Sequence, residues 1–216
     1  MADIRRLLQR EPKDLRSRPL AGRRLVGKYL YDADLRDSDL AGTVFDRSYM
    51  EGARFDGSSL RGASFEHTHL AHAKLRNCDL TGTVMRHLRH SAKPDHTCNY
   101  AQFSDSRLDG ADLSRAPMTY AVFERASLVD ADLNRATLTA ALFQGADLRG
   151  ANLAFADLSR CRLEGADLRG TDLRFADLSG ANLTDAIVDE TTVWRGTRYN
   201  QRTRWIDGQR RRAPLA

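Results

Sequence analysis

From Ala146 to Asp185 the chain reads ADLRG, ANLAF, ADLSR, CRLEG, ADLRG, TDLRF, ADLSG, ANLTD, with a small residue first, leucine third and polar residues after it. A five-residue period fits neither regular element. A helix turns about 100° per residue, so leucines five apart would step about 140° and smear around the cylinder. A straight strand alternates its faces with period two, so successive leucines would point to opposite sides. The pattern therefore predicts a chain that bends at every repeat. Leucine (position i) and the small residue (i−2) point inward, and corners fall at i+1 and i+2, where Gly, Arg, Ser and Asp collect.

The large residues set the number of sides. Phe103, Phe123 and Phe143 are 20 residues apart, as are Phe45 and Phe65, Tyr100 and Tyr120, and Phe155 and Phe175. Twenty residues are four repeats. Like residues stacking coil over coil predict a four-sided parallel β-solenoid with one repeat per side.

Tandem A(D/N)LxG units of this kind resemble the pentapeptide repeat family, over residues 23 to about 193. The resemblance implies an all-β fold, a right-handed quadrilateral parallel β-helix of about eight coils. Every i−2 residue from Ala33 to Thr83 and from Ala101 to Thr191 is Ala, Ser, Thr or Cys, as a narrow interior requires. Cys78 and Cys161 are two of these and read as buried fillers; three cysteines make no disulfide framework, which points to a reducing compartment.

The expected organisation is an N-terminal cap over 1–22, a solenoid over 23–193 and an aromatic cap with a basic tail over 194–216. Ile4, Leu7 and Leu8 suit a short capping helix interrupted by Pro12 and Pro19. The register breaks after Met85, so the polar segment around 86–97 is expected to project as a loop. Loops on rigid scaffolds are favoured contact sites, which makes His87, Arg89, His90, Lys93 and Asp95 candidate partner-binding residues. His87, His90, His96 and Cys98 also give an HxxH and an HxC, but their irregular spacing is unlike a zinc site. No metal or cofactor is expected.

Charge changes the picture once it is divided. The formal net charge of +5 resolves into +5 over residues 1–32, −6 over 33–190 and +6 over 191–216: an acidic rod with basic ends. Asp147, Asp157, Asp167, Asp172 and Asp177, all at i−1, are candidates for an acidic outer face. Trp194, Tyr199 and Trp205 are expected to close the C-terminal end, and the family resemblance allows a homodimer interface there.

No stretch is apolar enough to span a bilayer and the N-terminus lacks a secretory signal, so a cytoplasmic location is expected. No nucleophile elbow, phosphate loop or catalytic triad pattern is present, which points away from an enzyme and towards a binding surface. One branch of the family protects topoisomerases. The resemblance therefore admits a DNA mimic that binds DNA gyrase or topoisomerase IV and guards it against quinolones or other poisons. The alternative is an adaptor rod for some other protein. Direct nucleic-acid binding ranks last, because it needs Lys/Arg and aromatics on one contiguous face.

Overall fold

The computed structural model describes residues 14–89 and 100–206. Each five-residue unit forms one short side followed by a two-residue turn. The i−1 residues of successive coils pair in parallel bridges, such as Asp34↔Arg54 and Arg54↔Lys74, which are 20 residues apart. Four faces follow. Face 1 starts at Asp14, face 2 at Pro19, face 3 at Arg24 and face 4 at Tyr29. Face 1 has ten rungs among the described residues, from Asp14 to Arg204.

A repeat's backbone bonding shows why aspartate recurs. In the repeat 43–47, Thr43 N–H bonds Leu40 C=O across the turn, Val44 N–H bonds Arg23 C=O in the coil before, and Phe45 and Arg47 N–H bond Ser64 and Glu66 C=O in the coil after. The amide at i+1 has no backbone partner. Asp or Asn at i−1 supplies one: Asp79 accepts from Thr81 N–H at 3.1 Å, Asp132 from Asn134 N–H at 3.0 Å and Asp172 from Arg174 N–H at 3.0 Å. A buried amide left unsatisfied costs about 1–3 kcal/mol, and a partly exposed one, as here, sits at the lower end or below. The carboxylate is thus a turn cap as well as a surface charge.

The interior is a stack of Leu and Phe. Phe103, Phe123 and Phe143 are fully buried with centroids 4.9 and 4.8 Å apart. Hydroxyls at i−2 bond the centre carbonyl one coil back, as Thr43 Oγ1 does to Leu20 C=O at 2.9 Å. Cys161 Sγ makes the same contact with Leu138 C=O at 2.9 Å.

Three expected boundaries are corrected. Residues 14–22 are solenoid rather than cap: Leu15 and Leu20 are buried centres and Asp14 bridges Asp34. Their repeats were hidden because first-coil i−2 residues such as Arg18, Arg23 and Lys28 are exposed, and so need not be small. The capping helix suggested by Ile4, Leu7 and Leu8 lies outside the described residues. The coil also runs past Met85, with Leu88 buried and Arg89 bridging His69, so 86–89 belong to a rung and not to a loop. At the C-terminus the coil continues to Arg204, but its bridges stretch to Asp172↔Val193 and Asn182↔Arg204. The extra residues give the last coil room for tryptophan.

Candidate functional site

Burial leaves the coil centres from Leu15 to Leu183 with nothing to offer a partner, so a lateral contact along these coils uses i−1 and the two turn residues. The five aspartates proposed as one acidic face do not share a face. Asp147 and Asp167 lie on face 2, Asp172 on face 3, and Asp157 and Asp177 on face 4. Spacing by five moves a residue one face round the rod at each repeat, so only residues four repeats apart align. Four of the five also bind an arginine: Asp147–Arg149 at 2.6 Å, Asp167–Arg169 at 2.5 Å, Asp172–Arg174 at 2.6 Å and Asp177–Arg198 at 2.9 Å. Hydrogen bonds from Arg169 and Arg174 hold the carboxyls of Asp167 and Asp172 below the usual range. Burial pushes Asp157 upward, but hydrogen bonds from Ser159 and Thr139 outweigh it and its pKa is lowered.

Of the loop candidates, His87 is a turn residue whose ring stacks on His67 at 5.5 Å, and Arg89 is a face 4 residue. His90, Lys93 and Asp95 lie outside the described residues. At the C-terminal end, Trp194, Tyr199 and Trp205 occupy centre positions of the widened coil. Trp205 lies 5.9 Å from Trp194 and edge-on to Tyr199 at 5.1 Å. A shallow opening there is lined by Tyr199, Asn200, Gln201, Thr203 and Trp205. Among the described residues no three His, Cys, Asp or Glu side chains come together as a metal site, and no helix is long and apolar enough to cross a membrane.

Sequence reasoning missed where the outward aromatics go. Tyr29 and Tyr49 stand on face 4, stacked at 4.9 Å, with Tyr31 at the adjoining turn 6.3 Å from Tyr29, and Tyr49 continues onto His69 at 4.7 Å. Tyr100 stacks on Tyr120 at 5.2 Å at the corner between faces 4 and 1. Phe155 stacks on Phe175 at 5.0 Å at the corner between faces 3 and 4, with the Arg135 guanidinium 4.9 Å above Phe155. Faces 1 and 2 and the flat of face 3 carry no outward aromatic ring among the described residues. The signal was present in the 20-residue spacing of Phe155 and Phe175; what it lacked was a map of which columns adjoin.

These features define a four-sided β-solenoid whose faces differ in chemistry around a filled core. The match to the family model for pentapeptide repeats covers residues 29–66, 48–86, 98–135, 118–153, 131–170 and 146–185, and the chain belongs to that family. Membership makes the coil right-handed. Among solved structures, the chain is similar to HetL, a pentapeptide repeat protein involved in heterocyst differentiation regulation from the cyanobacterium Nostoc sp. strain PCC 7120. The two are 27% identical with a TM-score of 0.59, over 86% of each chain. It is also similar to QnrB1, a plasmid-mediated fluoroquinolone resistance protein, at 18% identity and a TM-score of 0.43, covering 82% of this chain and 92% of that one. Rfr23 from the cyanobacterium Cyanothece 51142 is 27% identical with a TM-score of 0.33, over 61% of this chain and 90% of that one. No curated protein sequence matches the chain.

Proposed function

We propose that the chain is a non-catalytic, cytoplasmic rod that binds another protein through a lateral face and acts as a regulator. The observation that carries this is the gathering of outward aromatic rings on one side of a rigid, filled solenoid. Tyrosine and arginine are the residue types on which protein interfaces lean, and a flat face with no deep cleft suits a macromolecule better than a small substrate. The likeness to HetL, whose role is regulatory, fits the same reading. The test is affinity capture from the host's own cells, followed by reconstitution with the purified captured protein. A stoichiometric complex in sedimentation is expected; a rod that sediments alone with every captured candidate overturns the reading.

The more specific form of the reading is DNA mimicry at gyrase or topoisomerase IV. Length favours it, since nine rung spacings of about 4.8 Å span about 43 Å. The distribution of acid counts against it, because duplex DNA carries one charge per about 1.7 Å whereas the five aspartates occupy three faces and four are neutralised by arginine. Titrating the rod into a gyrase supercoiling assay, with and without a quinolone, separates the two forms: rescue or inhibition supports mimicry, and no effect leaves the adaptor. Trp194, Tyr199 and Trp205 are where a second copy would meet the rod. Sedimentation at twice 24.2 kDa supports that dimer, and a single-chain mass rejects it.

A further inference from the structure

Among the described residues, the second turn residue of every repeat from Ser17 to Asp185 adopts a left-handed φ, a conformation that glycine enters freely and that costs other residues about 1 kcal/mol. The corner between faces 2 and 3 obeys this rule: Gly42, Gly62, Gly82, Gly110, Gly150 and Gly170 stand there, with Asp130 the one exception between Gly22 and Gly170. The next corner does the opposite. Between faces 3 and 4, bracketed by Gly27 and Gly196, the successive rungs carry Arg47, His67, His87, Arg115, Arg135, Phe155 and Phe175, all with φ between 55 and 61°.

Seven consecutive large side chains at a glycine position are not what the fold needs. Ring stacking returns part of the cost for His67 with His87 and for Phe155 with Phe175. Arg47 and Arg115 have no ring contact or ion pair among the described residues, and Arg135 has only its ring contact with Phe155. Arginines at the other corners, such as Arg36, Arg149 and Arg169, are clamped to aspartates. Residues held in sparsely populated backbone regions collect at functional sites.

The chemistry of the ridge is directional. Its N-terminal five rungs are cationic or imidazole and its last two are phenylalanines 48% and 47% exposed. The two carboxylates at the adjoining turn position are engaged, Asp46 by Ser64 Oγ and the Glu66 N–H, and Glu66 by Arg86. Six rung spacings make it about 29 Å long. We propose that this ridge docks an acidic protein segment, with carboxylates against Arg47, Arg115 and Arg135 and an apolar side chain on the Phe155–Phe175 pair. The proposal rests on the protein-binding reading above. A nucleic acid fits less well. Three guanidinium groups without a carboxylate partner, over about 19 Å, neutralise little of a phosphate chain. The stacked rings spend their facing surfaces on each other, which leaves little ring area for bases to stack on.

The test uses the full chain and a fluorescein-labelled glutamate–tyrosine copolymer, followed by anisotropy, with an oligothymidylate of equal charge as the competing probe. Two variants return the ridge to glycine: Arg115→Gly with Arg135→Gly, and Phe155→Gly with Phe175→Gly. Both suit the left-handed φ, so the rod stays folded, with an unchanged circular dichroism spectrum. The copolymer is expected to bind the native rod and to lose about tenfold or more in affinity with either variant. Arg149→Gln with Arg169→Gln, at the corner between faces 2 and 3, is expected to leave binding unchanged. Copolymer binding that is absent, equal in the ridge variants, or weaker than oligothymidylate binding through the same arginines overturns the proposal. If the ridge variants still form the native complex with a cellular protein, the ridge assignment fails while the protein-binding reading stands.

Discussion

The Phe175 ring lies against the backbone of Gly196, one coil further along the same corner: a Cβ added to Gly196 would sit 2.5 Å from Phe175 Cδ1. Gly196 also has φ +72°. Gly196→Ala therefore combines a clash with backbone strain and is expected to destabilise the C-terminal coils by about 2 kcal/mol. Thermal melts read this. Phe175→Ala in the same chain should recover much of the loss, and strictly additive effects would exclude the contact as its cause.

Asp157 tests the capping role of the i−1 carboxylate. One of its oxygens accepts from Ser159 N–H at 2.9 Å and the other from Thr139 Oγ1 at 2.7 Å. Asp157→Asn keeps an oxygen for the amide and is expected to cost little. Asp157→Ala strands that amide and is expected to cost about 1–2 kcal/mol in chemical denaturation. Equal losses would mean the charge, not the cap, matters.

The same carboxylates set an acid limit. Asp34, Asp167 and Asp172 have pKa values lowered chiefly by hydrogen bonds from Arg36, Arg169 and Arg174. A group with a depressed folded pKa contributes its full stabilisation above its unfolded value, 3.8, and loses it as pH falls through the folded value. Melting temperature is expected to hold from neutral pH to about 4.5 and to drop below 3.8. Arg169→Gln with Arg174→Gln should flatten that drop; an unchanged acid limb would place its origin elsewhere.

Cys78 and Cys161 are expected to resist alkylation in the native rod. Burial pushes the Cys78 thiol up to about 12 and raises that of Cys161 as well, so neither offers a thiolate at neutral pH. Mass spectrometry after iodoacetamide treatment should find both unmodified until denaturant is added. Modification of either in the folded rod would show that its coil opens.

The repeat was legible because both of its periods are written in residue type. Leucine at every fifth position and alanine at i−2 report a narrow interior, and Phe103, Phe123 and Phe143 report the coil length. Where the boundary conditions change, the pattern fails. Arg18, Arg23 and Lys28 occupy i−2 positions of the first coil and are exposed, so the repeats ending in Leu15 and Leu20 looked like a cap. Trp194, Tyr199 and Trp205 looked like a separate closing segment because the last coil takes extra residues between its centres.

The amino-acid sequence by itself determined which side chains point inward, the number of sides and the family, because these follow from local spacing under a steric limit that every coil shares. Tertiary structure alone decided which outward residues are neighbours. Asp147, Asp157 and Asp167 look like one series along the chain, yet Asp157 sits on another face, whereas Arg47, Arg115 and Phe175 are distant in sequence and share one ridge. Adjacency on a solenoid surface depends on the coil length, the eight residues added between Lys74 and Gln102, and the extra residues near the end. Those offsets accumulate along the chain, so the surface that could meet a partner exists only once the coil is closed.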